Sequence, residues 1–292
     1  MDGARHPATD TRAETTTVTT GTLAVDGATL HYQLRGTGPL LLISQSGEGD
    51  ADRSADLVAG LADAYTVLTY DRRGLSRSRV EDPASGASIA QHADDVHRLL
   101  AAVTDEPALM LGCSLGASIG LHLATTHPGQ IALLIAHEPV SPCLLPTADR
   151  ARHEHELAEL QGIYRRAGLA DVFPAIAGVL GIDPHSRDVE PDLTPFPLDA
   201  QRRANFDYFI QHDFTAIIED TLDAAALAAS STRIVPAFGA TTPHTVFDYQ
   251  CALALADLTG TPAVTLPGGH NGNLTHPRAY AALLRELLAG AA

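Results

Sequence analysis

Short, continuously apolar runs alternate with stretches of helical periodicity along the first half of the chain. The apolar runs have strand length and lie at residues 40–43, 66–70, 107–111 and 131–136. The stretches 53–64 and 89–100 between them repeat apolar positions at helical spacing. Because strands buried on both faces read as continuous apolar runs, this alternation predicts an α/β protein with a mostly parallel, doubly wound sheet. Ahead of these runs, two alternating segments flank Asp26-Gly27 and predict a β-hairpin.

The pattern changes between residues 140 and 231, where predicted helices at 151–167, 200–212 and 213–229 and proline-rich segments replace the strand-like runs. Strand-like runs resume at 233–239 and 262–266. A helical cap inserted between strands of the sheet explains this interruption. The predicted organisation is a disordered leader at 1–20, a core at 21–139 and 232–292, and a cap at 140–231.

One pentapeptide lies where a strand-like run meets a helical stretch: Gly112-Cys113-Ser114-Leu115-Gly116. A G-x-S-x-G sequence between a strand and a helix is typical of a nucleophile elbow, whose sharp turn exposes the serine. Ser114 would then stand at a helix N-terminus, where the helix dipole favours developing negative charge. The alternative is a glycine-rich turn with an incidental serine.

A serine hydroxyl needs a histidine base, and the histidine needs an orienting acid. His270 is the best candidate base because it follows the last strand in a glycine-rich loop, at the carboxyl edge of the sheet. His276 is the alternative, although it precedes Pro277 and is better explained as the entry to the final helix. The loop after strand 233–239 is one place to look for the orienting acid, but it offers no carboxylate before Asp248, which falls within the next helix.

The orienting acid is instead assigned to Glu138, which ends the strand that follows the elbow helix. This position brings Glu138 to the same sheet edge as Ser114. A salt-bridged carboxylate at a strand end is the structural alternative. His137 should face the other side of the strand and serve in packing or in contact with the cap.

Two backbone donors are needed to bind an oxyanion. The N–H of Leu115 follows the nucleophile directly, and Gly47 in the loop after strand 40–43 is the second candidate, with Ser46 as the alternative. Asp71 and Arg72 are expected to hold neighbouring loops by hydrogen bonds and not to act in catalysis.

Four motifs carry a resemblance to a known family: residues 112–118, His137-Glu138-Pro139, residues 239–243 and residues 266–270. In these, the chain resembles the α/β-hydrolase superfamily over roughly residues 20–290 and, within it, the zearalenone lactone hydrolase branch. The resemblance implies an α/β-hydrolase fold and cofactor-free opening of a lactone, with the acid taken from the His-Glu segment, here Glu138. The segment Tyr-Asp-Arg-Arg-Gly at residues 70–74 resembles a segment of actinobacterial hydrolases, whose substrates are diverse.

Aromatic residues of the cap are candidates to line a substrate pocket. The zearalenone enzymes are expected to use a cap tryptophan, whereas this chain has none, and Phe209 is the nearest aromatic by alignment. Simple packing of the cap on the core is the alternative for each of them. The candidate substrate-binding residues are Ser46, Tyr164, Phe206, Phe209 and Phe214.

Composition narrows the partners and the compartment. A net charge of −16 argues against nucleic acid and anionic membranes, which need a basic face. Three cysteines without repeated spacing suit a reducing cytoplasm, and the polar start lacks the apolar core of a signal peptide. We expect no metal and no cofactor, and the sequence leaves a homodimer open.

These residues together predict a serine hydrolase that cleaves a carboxylic ester, a lactone above all, through a Ser-His-Glu triad and an acyl-enzyme. The alternatives are a C–C bond hydrolase or lyase on the same fold, and a non-catalytic small-molecule receptor. The predicted partner is a small apolar ester or lactone.

Overall fold

The computed structural model describes residues 18–290, in which nine strands form one sheet. The strands are β1 Val18–Val25, β2 Ala28–Arg35, β3 Leu40–Ser44, β4 Thr66–Tyr70, β5 Arg79–Val80, β6 Ala108–Cys113, β7 Ile131–His137, β8 Arg233–Gly239 and β9 Val264–Leu266. Their order is β1-β2-β4-β3-β6-β7-β8-β9, and β5 pairs with β2. The pairs from β4 to β9 along this order are parallel, whereas β2 pairs antiparallel with β1, β4 and β5. The predicted mostly parallel sheet and the hairpin at Asp26-Gly27 are confirmed.

Eleven α-helices are present in the described part of the chain. They are α1 Ala55–Ala59, α2 Ile89–Val103, α3 Leu115–Thr126, α4 Thr147–Ala167, α5 Leu169–Val179, α6 Ala200–Tyr208, α7 Phe214–Ile218, α8 Ala224–Ala228, α9 Phe247–Thr259, α10 Gly272–Thr275 and α11 Pro277–Leu288. Two 3-10 turns, Ala51–Ser54 and Pro142–Leu144, and one π-helical turn, Phe209–Asp213, complete the set. None of the helices in residues 18–290 is both long and apolar enough to cross a membrane.

The sheet has one apolar core on each face. Successive side chains of a strand face opposite sides, so Leu41 and Ile43 of β3 pack in one core while Leu42 packs in the other. The core that contains Leu42 also receives α2, α3 and the cap, and the opposite core receives α1 and α11. Two-sided burial explains why these strands read as uninterrupted apolar runs.

The cap consists of α4 to α8 and departs from the predicted helices in three ways. Helix α5 has no counterpart among the predicted helices: it begins after Gly168 and contains Pro174. The predicted helix 200–212 is α6 followed by the π turn, and the predicted helix 213–229 is two short helices, α7 and α8, separated by residues 219–223. Residues of 140–231 outside the helices form turns and irregular segments, with no strand in this range.

Two further boundaries differ from the predictions. The predicted helix 53–64 is a 3-10 turn followed by the single-turn α1, which ends at Ala59 with Gly60 as its C-cap. The predicted leader extends to residue 20, but β1 begins at Val18 because its residues pair with β2 along its whole length. The rest of the predicted leader lies outside the described residues.

Candidate active site

Ser114 occupies the sharp turn between β6 and α3. Its backbone has φ 53° and ψ −118°, a conformation that L residues rarely adopt. The turn also brings the chain against the end of β3, because a Cβ on Gly116 would lie 2.0 Å from the Ser44 carbonyl oxygen. Only glycine fits at this position. The strand, turn and helix predicted around the G-x-S-x-G sequence are therefore present, and they hold Ser114 at the N-terminus of α3.

Glu138 and His270 form a buried hydrogen-bonded pair at the same edge of the sheet. His270 Nδ1 lies 2.7 Å from Glu138 Oε2, and Glu138 Oε1 accepts from the Gly239 N–H at 2.8 Å. The strand register brings Glu138 close to Ser114, since the Ser114 N–H donates to the carbonyl of His137, the residue before Glu138. Glu138 also has a left-handed backbone, with φ 45°.

Electrostatics favour a charged acid and a basic imidazole in this pair. Burial acts to raise the pKa of Glu138, but the hydrogen bond from His270 and the nearby imidazoles outweigh it and lower the pKa to about 2. Burial acts to lower the pKa of His270, and the Glu138 carboxylate outweighs it and raises the pKa above its usual range. The ionised Glu138 accepts from Nδ1–H, which leaves Nε2 free to receive a proton.

The two other histidines considered for the site have different partners. His276 contacts the Thr275 hydroxyl at 2.9 Å and Asp188 at 3.3 Å, so it ties the start of α11 to the proline-rich segment of the cap. His137 is fully buried, and its Nδ1 lies 3.1 Å from the Tyr280 hydroxyl of α11. His137 therefore packs on the core and not on the cap.

Arg72 holds the loop that carries the predicted oxyanion donors. Its guanidinium donates to the carbonyls of Ser46 and Gly47 at 2.9 and 2.8 Å and to Asp213 of the π turn at 2.7 Å. A Cβ on Gly47 would lie 2.3 Å from the ring of Phe209, so this ring rests on the loop. The loop-holding role expected for Arg72 is thus visible in its contacts, and it links the loop to the cap.

Asp71 holds neighbouring segments in the same way. It accepts from the Ala51 N–H at 2.8 Å and from the backbone and guanidinium of Arg77. Neither Asp71 nor Arg72 touches the Glu138–His270 pair.

A cavity of about 50 Å³ opens onto Ser114 between the core and the cap. Phe209 and Phe214, two of the predicted substrate-binding residues, lie in its wall. The wall is otherwise mostly aliphatic and comes from α4, α5 and α7 of the cap and the segment 246–248 of the core. A larger groove, of about 440 Å³, opens near His122 and Asp220, and its lining includes no member of the Ser114, Glu138 and His270 set.

Three predicted substrate-binding residues lie outside the wall of this cavity. Tyr164 donates its hydroxyl to Asp207 at 2.8 Å and therefore braces α4 against α6. Phe206 packs edge-on against Phe173, with 4.8 Å between ring centroids. Ser46 contributes its carbonyl to Arg72.

Three polar residues of the cavity are absent from the predicted site residues: His153 and Glu156 of α4, and Asp248 of α9. In the sequence, Asp248 stands out only as the first carboxylate after β8. Its position in the first turn of α9 is the feature that could have indicated a place in the site, because this turn follows the sheet edge where the site lies. No feature of the sequence indicates that His153 lies in the cavity, because the docking of the cap decides which of its residues face Ser114.

A family model for the alpha/beta hydrolase fold matches residues 39–208 of the chain. This match spans more than half of the sequence and includes Ser114 and Glu138. The chain belongs to the α/β-hydrolase family.

Relatives across the whole length agree with this assignment. The chain is 37% identical to YraK, an uncharacterized hydrolase of Bacillus subtilis, over 93% of this chain and 97% of YraK. A hydrolase from Pseudomonas aeruginosa PA01 superimposes with a TM-score of 0.67 at 25% identity, covering 95% of this chain and 99% of that one. Est816, described as an N-acyl homoserine lactone degrading enzyme, gives 0.69 at 22% identity, with 91% and 99% covered. Other α/β-hydrolase structures of this fold are described as an enol-lactonase, an esterase and a putative epoxide hydrolase.

Proposed function

We propose that this α/β hydrolase is a serine hydrolase that cleaves carboxylic esters, with lactones as its principal substrates. The observation that carries the proposal is the buried Glu138–His270 pair at the sheet edge beside the strained Ser114 turn. A carboxylate that holds Nδ1–H leaves a basic Nε2, which is the arrangement that activates a serine hydroxyl.

The proposed reaction proceeds in two halves. Ser114 Oγ attacks the ester carbonyl while His270 Nε2 accepts its proton and returns it to the leaving alkoxide. A water molecule then attacks the acyl-enzyme, with His270 again as the base. The N–H of Leu115, at the first position of α3, and that of Gly47 or Ser46 stabilise the oxyanion in both halves.

Three observations support an ester or lactone over other bonds. The motif resemblance to zearalenone lactone hydrolases includes the acid position. Two structural neighbours are described as an N-acyl homoserine lactone degrading enzyme and an enol-lactonase. The cavity wall is mostly apolar, which suits an uncharged acyl group. The cavity volume of about 50 Å³ favours a small acyl chain or ring over a large macrocyclic lactone.

We also propose that the enzyme acts in the cytoplasm and without a cofactor. Cys113, Cys143 and Cys251 are free thiols, which suits a reducing compartment. The proposed chemistry needs only the side chains and amides named above.

Intact-mass measurement after incubation with a fluorophosphonate tests the proposal. We expect a single adduct on the wild type, none on Ser114→Ala, and slowed labelling of Glu138→Gln. Ser85→Ala, at an exposed loop serine, is the matched control and should label like the wild type. An unlabelled wild type, or a Ser114→Ala variant that still labels, would refute an activated Ser114.

A further inference from the structure

The cavity at Ser114 holds polar side chains that the proposed reaction does not use. Its wall is apolar except for Ser114, His153, Glu156 and Asp248. His153 and Asp248 are 2% and 3% exposed, respectively. Polar side chains in an apolar pocket fix the orientation of a ligand, because they are costly to bury without a partner.

Neither His153 nor Asp248 is well paired inside the protein. The Asp248 carboxylate lies 3.5 Å from His153 Nε2 and 3.8 Å from His270 Nδ1. Both distances exceed the roughly 2.7–3.2 Å of a well-formed N–H···O hydrogen bond. His153 Nδ1 is buried and has no hydrogen-bond partner within residues 18–290.

A role for Asp248 as the acid of the triad does not explain this geometry. His270 Nδ1 carries a single hydrogen, which Glu138 already accepts at 2.7 Å. Packing does not explain it either. The His153 ring stacks on Phe247 with 4.9 Å between centroids, and an apolar ring would make that contact without burying two nitrogens.

Building on the proposed ester hydrolysis, we propose that Asp248 and His153 bind a hydroxyl group of the substrate beside the scissile ester. A hydroxyl both donates and accepts, so it can donate to the carboxylate and accept from the imidazole, or the reverse. The two side chains come from the core helix α9 and the cap helix α4, so a hydroxyl held between them also joins the cap to the core. The substrate class is therefore small hydroxylated esters and lactones.

The charges around the pair suit a neutral hydroxyl. Burial raises the pKa of Asp248 to about 7, His270 opposes this rise, and Glu138 and Glu156 add to it. Burial lowers the pKa of His153 to about 4, so its imidazole is neutral near pH 7. The Cys251 thiol, on the same helix as Asp248, is kept protonated because burial raises its pKa far above the usual range. A carboxyl whose pKa is raised to about 7, beside a neutral imidazole, gives less attraction for an ammonium group than an ordinary carboxylate.

Matched lactones test the proposal. The kcat/KM of wild type is measured on γ-butyrolactone and on its 2-hydroxy and 3-hydroxy derivatives, and each is also tested for protection of Ser114 from the fluorophosphonate. We expect the wild type to favour one hydroxylated lactone by about tenfold or more, because a site built for a hydroxyl rejects the analogue that lacks it. The same set is run on Asp248→Leu, Asp248→Asn and His153→Phe, with Asp257→Leu at an exposed position of α9 as the control.

We expect Asp248→Leu and His153→Phe to lose the preference while still hydrolysing γ-butyrolactone, Asp248→Asn to retain part of it, and Asp257→Leu to keep it. A purely structural role would lower kcat/KM for all three lactones equally. Equal kcat/KM of wild type for the three lactones overturns the proposal, as does a labelled wild type that neither hydrolyses nor is protected by any of them. An unlabelled wild type refutes the serine hydrolase itself, so the two failures are distinguishable.

Discussion

At the scale of single residues, backbone strain marks the proposed nucleophile and the proposed acid. Ser114 and Glu138 are two of the four non-glycine residues with positive φ among residues 18–290, at 53° and 45°. Such conformations cost about 1–3 kcal/mol each and persist where the surrounding structure enforces them. Here the strand ends enforce them: the N–H of each residue donates to a carbonyl of the neighbouring strand at 2.9 Å. The strain therefore lies at the two residues that directly follow β6 and β7 at this edge of the sheet.

Replacing the proposed acid, Glu138, should change the pH dependence as well as the rate. His270 must be neutral to accept the serine proton, and its pKa is raised by Glu138. The kcat/KM of wild type should therefore rise with pH through an inflection above 6.5. In Glu138→Gln that inflection should move to lower pH, because the carboxylate no longer stabilises the imidazolium. The plateau should fall by about 10³- to 10⁴-fold, because the amide favours the wrong tautomer.

The fluorophosphonate labelling rate, followed from about pH 5 to 9, measures this inflection even when turnover is slow. Glu159→Gln, at an exposed position of α4, serves as the control and should reproduce the wild-type curve. An unshifted inflection in Glu138→Gln would mean that another group orients His270.

The site residues that sequence can predict are those fixed by the sheet itself. Ser114, Glu138 and His270 each follow a strand, so strand order and motif spacing alone place them at one edge of the sheet. His153 and Asp248 escape assignment because they reach the cavity from helices whose rotation and docking are set by tertiary packing. Tyr164 and Phe206 lie outside the cavity wall that Phe209 joins for the same reason: composition does not reveal which side of a cap helix faces the core.

At the scale of elements, the π turn Phe209–Asp213 is another feature that the sequence pattern does not predict. The sequence pattern predicts residues 200–212 as one helix, because the added residue of the π turn is invisible in the apolar pattern. In the structure this turn points Phe209 at Gly47 and places Asp213 against Arg72. The turn is thus the element through which the cap contacts the proposed oxyanion loop.

Replacing the Arg72–Asp213 ion pair should affect the stability and the activity of the protein differently. Arg72 and Asp213 are both almost fully buried. Asp213→Asn leaves the arginine charge uncompensated and should lower the free energy of unfolding by about 3 kcal/mol. The double variant Arg72→Met/Asp213→Leu should recover much of this loss, because an apolar pair replaces a buried ion pair at little cost. Its kcat should nevertheless fall by about tenfold or more, since Ser46 and Gly47 lose the donor that holds their carbonyls.

Denaturant unfolding and ester turnover, measured on the same preparations, check both parts of this prediction. Glu219→Gln, at an exposed position of the cap, is the matched control and should leave both quantities unchanged. A double variant with wild-type kcat would show that the loop keeps its shape without Arg72.

The whole molecule sets the size of the substrate through the docking of the cap on the core. The cavity of about 50 Å³ is well below the roughly 300–1,000 Å³ of pockets for drug-sized ligands. If turnover occurs with the cap in this position, kcat/KM on p-nitrophenyl esters should fall steeply from acetate to octanoate. Leu160→Ala removes a cap side chain from the wall and should move the optimum to longer acyl chains by about two carbons. Leu253→Ala, at an exposed position of α9, should leave the profile unchanged. A wild type that accepts octanoate as well as acetate would show instead that the cap opens during turnover, and the wall residues would then no longer decide substrate length.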